Sequence, residues 1–300
     1  MNLFKPNSDL ALLPRTDGFS TRNEGSQKIP NTSPICNAAG RRLLALAGDP
    51  FLHVTWKQLV FFHFVIPTGV LQNVVPKPFE LELHEGMGYV SLVALTMRNF
   101  RSCRACSPGR VFELIPEQRF LNLRTYVTNK DEPGALFLFG WLSQPLGLRL
   151  PSGMFGLPFS FATVSYDHSG EQVRGSVKVQ TGKFAYRGKT EADRTFEPCA
   201  PGSFAEFAME RYSGFFNRGE RGHVFRVWHP PWMQVPLSAE IEDASLITQR
   251  FPWFEQARLI GASLTATIED VWVGNAHRLP PASHGDGGNH RVLSAFYDMP

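Results

Sequence analysis

The sequence predicts an α+β, mostly β domain: an antiparallel sheet, closed or nearly closed, with a few flanking helices. Three observations predict it. Most apolar segments are short, and they either alternate with period two or are rich in branched and aromatic residues. No long helical pattern separates them, so the strands have no crossover helices to make them parallel. Phe is unusually frequent, with 25 in 300 residues, and it suits strands and apolar cavity walls.

Residues 1–44 read as a flexible extension, because the first forty are rich in Asn, Ser, Thr, Pro and Gly. Arg41-Arg42-Leu43-Leu44 marks a brief helix at its end, too short and too far in for a signal peptide. Residues 45–279 read as one domain. Pro67–Val75 reads as a short helix. Roughly nine strands follow: Met87–Phe100, Phe120–Thr128, Ala135–Leu142, Phe159–Tyr166, Gln172–Gln180, Lys183–Arg187, His223–Trp228, Val235–Glu242 and Leu264–Val273. Ser203–Phe216 reads as the clearest helix. Ser203 and Glu206 have capping-box spacing, and Phe204, Phe207, Ala208 and Arg211 recur on one stripe. Residues 280–300, beginning PPASHGDGGNHR, read as a flexible tail.

At 43% hydrophobic the chain can bury a sizeable core, and at 19% charged it lies below the average globular chain of about 25%. A net charge of +3, with scattered basic residues, gives no footprint for nucleic acid. No apolar run reaches the length of a membrane span, so no membrane association is expected. The four cysteines are Cys36, Cys103, Cys106 and Cys199. Cys103-Arg-Ala-Cys106 has no second pair to complete a zinc site, so reduced thiols and a cytoplasmic location are expected. HExxH and GxSxG are both missing, and two approximate phosphate loops fail on spacing. No metal and no cofactor are therefore expected.

Polar residues placed on strands carry the functional reading. Phe120, Asn122, Arg124 and Tyr126 share one face of their strand, while Leu121, Leu123, Thr125 and Val127 share the other. An unpaired buried Arg is very costly, so the first face meets either solvent or a lined cavity. In a cavity, Arg124 could hold an anionic or carbonyl ligand. His229 ends a strand just before Pro230-Pro231-Trp232, and His63 interrupts the apolar run Leu59–Ile66. Each allows a structural and a pocket role.

Six segments together resemble the YqjF-like family of bacterial proteins, a domain of unknown function within the acetoacetate decarboxylase-like superfamily. They are Trp56–Pro67 with Leu71 and Val75-Pro76; Gly88–Val93 leading to Met97-Arg98; Leu121–Val127; Phe155-Gly156-Leu157-Pro158; Ala200–Ser203 leading to Phe207 and Glu210–Tyr212; and His229–Trp232. The resemblance covers about 53–275. It implies a barrel- or cone-like fold with an internal cavity and no established reaction. In the decarboxylases the two positions after Gly156-Leu157-Pro158 are adjacent lysines, one of which forms a Schiff base. Here they are Phe159 and Ser160. Relatives also commonly carry a Glu where this chain has Phe120.

A Schiff-base lysine needs a depressed pKa, which a neighbouring cation supplies. The chain has no adjacent lysine pair, and Lys178 and Lys183 read as solvated, so decarboxylation by that route is not expected. The leading expectation is a binder of a small, partly apolar carboxylate or carbonyl compound. Asn122, Arg124, Tyr126, His63, His229, Trp232, Phe159 and Ser160 are its candidate ligand residues. The alternatives are a hydrolase or isomerase with His63 or His229 as general base, and an interaction module with a filled interior. A homo-oligomer is compatible with all three.

Overall fold

The computed structural model describes residues 34–46, 49–102, 115–143, 157–191, 193 and 195–280. The expected flexible N-terminal residues before 34, the tail after 280, Cys103, Cys106 and Gly156 lie outside the described residues.

Elements run α1 (Pro34–Leu44), β1 (Leu52–Ile66), α2 (Thr68–Val74), β2 (Glu80–Leu81), β3 (Gly88–Ser102), β4 (Gln118–Asn129), β5 (Glu132–Ser143), β6 (Phe159–Asp167), β7 (Gln172–Lys178), β8 (Lys183–Lys189) and β9 (Glu197–Pro198). Then come α3 (Phe204–Met209), β10 (Ser213–Arg218), β11 (Arg221–Trp228), β12 (Met233–Pro236), β13 (Ser238–Asp243), α4 (Ser245–Arg250), a 3-10 turn (Pro252–Gln256), β14 (Arg258–Thr265), β15 (Ile268–Val273) and β16 (His277–Arg278).

β1, which simple alternation does not predict, is one of two 15-residue strands. It lacks a period-two signal because both faces are covered: Val60, Phe62, Phe64 and Ile66 enter one core, Leu59, Phe61 and Val65 another. A strand buried on both faces reads as a continuous apolar run.

The sheet closes on itself in the order β1-β3-β4-β5-β10-β11-β15 and back to β1. The ring is antiparallel except where β10 meets β5 in parallel. After β5 the chain runs through the β6-β7-β8 meander and α3, then returns in the same direction, so an all-antiparallel sheet gives way at this seam. β1 and β5 each fork. The first half of β1 pairs with β15 and the second with β14; the start of β5 pairs with β10 and its end with β6. One core fills the ring, and the other lies between the ring wall and the β6-β7-β8-β13 layer.

Several element limits differ from expectation. The helix expected over Ser203–Phe216 stops at Met209, and Ser213–Arg218 becomes β10. Arg211 explains the stop: its Nε–H donates to the Phe207 carbonyl and occupies an acceptor of the last turn. Ser203 caps the N-terminus as expected, accepting from the Glu206 N–H at 3.2 Å, while the Glu206 carboxylate accepts from Gly202 N–H at 2.7 Å. Val235–Glu242 and Leu264–Val273 each divide into two strands. The brief helix around Arg41-Arg42 extends back to Pro34, and Cys36, Ala39 and Leu43 are buried. It packs on β11, so ordered structure begins before residue 45.

Candidate functional site

Cross-strand register assembles the site from residues far apart in sequence. His63 of β1 stands opposite Ser91 of β3, and Ser91 stands opposite Arg124 of β4. The next rung is Phe61, Val93 and Asn122. Directly opposed side chains lie about 5 Å apart, close enough to act together. β4 keeps its alternation because the bulge in its pairing with β5 falls on the β5 side, between Phe137 and Phe139. Phe120 and Tyr126 therefore join the core inside the ring, while Leu121 and Leu123 join the outer core. Asn122 and Arg124 share the inward face, and the solvated outer-face reading of Arg124 is excluded.

The inward face holds a hydrogen-bonded path. His63 Nδ1 lies 2.8 Å from Ser91 Oγ, and Ser91 Oγ lies 2.5 Å from Tyr126 Oη. Arg124 packs its guanidinium 5.1 Å from the Phe61 ring centroid and 6.0 Å from that of Tyr126. Its Nη2 donates to the Ala208 carbonyl at 3.0 Å. Arg211 comes from the other side, 5.4 Å from the Tyr126 centroid, with its charge met by Glu82 at 2.7 Å. Burial lowers the Arg124 pKa, Tyr126 partly offsets this, and the Arg211 charge lowers it further. His63 is held down to about 3, first by burial and then by the Arg124 charge, so the imidazole is neutral.

Three enclosed polar atoms on the two rungs around Arg124 have no hydrogen-bond partner: His63 Nε2, Asn122 Oδ1 and Arg124 Nε. Each such atom costs about 1–3 kcal/mol when it stays unpaired. Phe204 of α3 sets its edge against the His63 ring, with centroids 5.1 Å apart at 88°. Arg124 itself is half-buried.

His229 and Trp232 adjoin this cluster. The Trp232 and Phe61 ring centroids lie 5.5 Å apart. Trp232 is fixed by two donations, from Nε1–H to the Met209 carbonyl and from its backbone N–H to Glu210, both 2.8 Å. The His229 ring stacks on Tyr212 at 4.7 Å, and its Nδ1–H donates to the Pro230 carbonyl at 2.8 Å. Burial holds its pKa at about 4, the Pro230 bond opposes this, and Arg124 adds to it. The Cys36 thiol of α1 donates to the His229 carbonyl at 3.1 Å.

A family model of the DUF2071 family, described as an uncharacterized conserved protein, matches residues 53–257. The chain belongs to this family. It is 27% identical over 195 residues to the uncharacterized protein YqjF of Bacillus subtilis (strain 168), covering 62% of this chain and 76% of that protein. Its fold is similar to that of an acetoacetate decarboxylase-like enzyme from Sphingomonas wittichii RW1, with 13% identity, a TM-score of 0.54, and coverage of 77% of this chain and 94% of that one. It is also similar to the enduracididine biosynthesis enzyme MppR complexed with pyruvate, with 12% identity, a TM-score of 0.52, and coverage of 76% and 90%. At these identities the likeness is one of fold, an acetoacetate decarboxylase-like barrel.

Within that family fold, the segment after Pro158 separates its two candidates. Phe159 and Phe161 pack toward the core inside the ring, while Ser160 is exposed. Neighbours on a strand face opposite ways, so Phe159 joins the site and Ser160 does not. Lys178 and Lys183 stand opposite each other on β7 and β8, both exposed. Phe120 lays its ring over Gly140.

Sequence reasoning missed Ser91, Phe61 and Arg211–Glu82 as parts of the site. Ser91 is one small polar residue in an apolar strand, and only the β1–β3 register gives it meaning. Two depressions lie away from the ring interior. One of about 540 Å³ sits at the β10–β11 tip beside Arg218 and Arg221. One of about 80 Å³ lies between Lys57, Arg119 and Tyr166. The inward face is marked instead by its unpaired polar atoms. Among the described residues no three His, Cys, Asp or Glu side chains come together as a metal site, and no helix is long and apolar enough to cross a membrane.

Proposed function

We propose that the chain binds a small, partly apolar carboxylate or carbonyl compound on the inward face around Arg124. The supporting observation is the set of three enclosed, unpaired polar atoms on adjacent rungs, His63 Nε2, Asn122 Oδ1 and Arg124 Nε. A ligand oxygen between them would restore the missing hydrogen bonds. Phe61, Tyr126, Phe159 and Trp232 supply apolar surface for the remainder of the molecule. The Schiff-base route has no lysine on this face to support it.

A thermal-shift screen with small carboxylates, ketones and aromatic acids tests this, run on wild type and on Arg124→Ala. Stabilisation by one class, lost in the variant, is expected. No shift with any class would refute the reading.

A second reading, an enzyme of hydrolase or isomerase type, draws support from the path linking His63 through Ser91 to Tyr126. His63 would be its acid–base group. His229 is the alternative, since donation of its Nδ1–H to the Pro230 carbonyl leaves Nε2 as the lone-pair nitrogen.

A further inference from the structure

We propose that the rung His63–Ser91–Arg124 is polarised so that His63 offers an Nε2–H donor to the ring interior, and that the ligand is a small hydroxy carboxylate. The inference rests on the binding reading above and goes further by naming the ligand class.

The direction of the path follows from charge. A single hydroxyl, that of Ser91, joins His63 Nδ1 and Tyr126 Oη. Its proton can point only one way, so the path runs either toward His63 or toward Tyr126. Two guanidiniums face the Tyr126 ring, Arg124 at 6.0 Å and Arg211 at 5.4 Å. Arg124 is also hydrogen-bonded to the phenol, which occupies a lone pair of Oη and turns its hydrogen away. Tyr126 O–H then donates to Ser91, and Ser91 O–H donates to His63 Nδ1. A neutral imidazole that accepts at Nδ1 carries its proton at Nε2. His63 is thus a donor on this face and not a base.

Arg124 Nε–H is a second unpaired donor. Asn122 supplies the contrast. Its amide lies 3.5 Å from the Val93 carbonyl. That oxygen can only accept, so the NH2 group faces it and Oδ1 faces the interior without a partner. These two rungs therefore present two donors and one acceptor. A carboxylate satisfies the donors. Only a ligand that also carries a donor hydrogen satisfies Asn122 Oδ1, and beside the Arg124 charge a neutral hydroxyl suits that place better than an ammonium. A plain or 2-oxo carboxylate leaves that oxygen unpaired and is expected to bind about tenfold more weakly. Phe204 packs perpendicular to the His63 ring and is half-buried, so Phe204→Ala is expected to open space beside His63 and tighten binding.

Two measurements on the full chain test this. Nitrogen-15 NMR of the histidine rings needs no ligand, with His63→Gln assigning the signal. A protonated Nε2 and a bare Nδ1 are expected at His63; a proton on Nδ1 overturns the proposed polarity and the donor set built on it. Titration calorimetry with propanoate, 2-oxopropanoate and 2-hydroxypropanoate tests the ligand class. The hydroxy acid should bind about tenfold tighter than the other two, with the advantage lost in Asn122→Ala. Equal binding of all three by wild type overturns the hydroxy-acid inference and leaves the carboxylate reading standing. Binding of none overturns both.

Discussion

The ring of Phe120 lies directly on Gly140, so that a methyl group added to Gly140 would come 2.2 Å from a ring carbon. Phe120 is buried, and its neighbour in register across β5 is Leu142. The apolar residue at this position is thus matched by a glycine on the adjoining strand, and the two form one packing unit on the ring wall. Gly140→Ala should destabilise the chain by about 1–3 kcal/mol through overpacking. Phe120→Leu in the same background should recover part of that loss. Urea denaturation of both single variants and the double variant measures the coupling. Additive effects would show that the two sites do not share space.

Ser91 bridges two buried groups, and its loss should be felt at both. Ser91→Ala leaves His63 Nδ1 and Tyr126 Oη without their shared partner, at an expected cost of about 2–4 kcal/mol. Tyr126→Phe removes one end of the path and should cost less, about 1 kcal/mol. In the double variant the effects should fall short of additive, because one path is broken twice. Strict additivity in chemical denaturation would remove Ser91 from the path.

Acid should destabilise the protein through its buried histidines. His63 is held at about 3, His168 at about 4 and His229 at about 4, in each case first by burial. Unfolded histidines titrate near 6.5. Below about pH 6.5 the unfolded state therefore binds more protons than the native one, and stability falls as pH drops toward 4. Each histidine contributes about 1.4 kcal/mol per pH unit in that window. Glu210 opposes this, since burial raises its pKa and the native state takes its proton first. The three histidines set a limiting slope of about three protons, which Glu210 lowers. Unfolding free energies at pH 7, 6 and 5 give it directly, and a flat profile would mean that these rings reach water.

Much of the inward face was legible because β4 obeys simple alternation. Asn122, Arg124 and Tyr126 fall on one side of any unbulged strand, and the bulge that could have broken the pattern lies on β5. The same rule also separates Phe159 from Ser160, neighbours at the start of β6. What stayed hidden depends on register. Ser91 gains its role only from standing opposite both His63 and Arg124. β1 hid behind its own hydrophobicity, since covering both faces erases the period that marks a strand. The helix predicted from Ser203 rests on the stripe Phe204, Phe207, Ala208 and Arg211, and no breaker in the sequence marks its true end, where Arg211 stops it and β10 begins.

The bulge in β1 offers a last test, of strain rather than of binding. Gln58 has a φ of 37°, in the left-handed region that few non-glycine residues adopt. The pairing of β1 with β3 shifts register between Lys57 and Val60 at the same place. His168 holds this conformation from the second layer. The Gln58 carbonyl can only accept, so His168 Nδ1–H donates to it at 2.8 Å, and Nε2 accepts from Tyr186 Oη at 2.6 Å. A neutral ring satisfies both bonds, in keeping with its lowered pKa. His168→Ala should release the bulge and strand the buried Tyr186 hydroxyl, costing about 2–4 kcal/mol. Gln58→Gly should relieve the strain and stabilise the chain by a few tenths to about 1 kcal/mol. Combined with His168→Ala it should recover little, because the Tyr186 hydroxyl stays unpaired. A destabilising Gln58→Gly in urea denaturation would show that the left-handed residue carries no strain here.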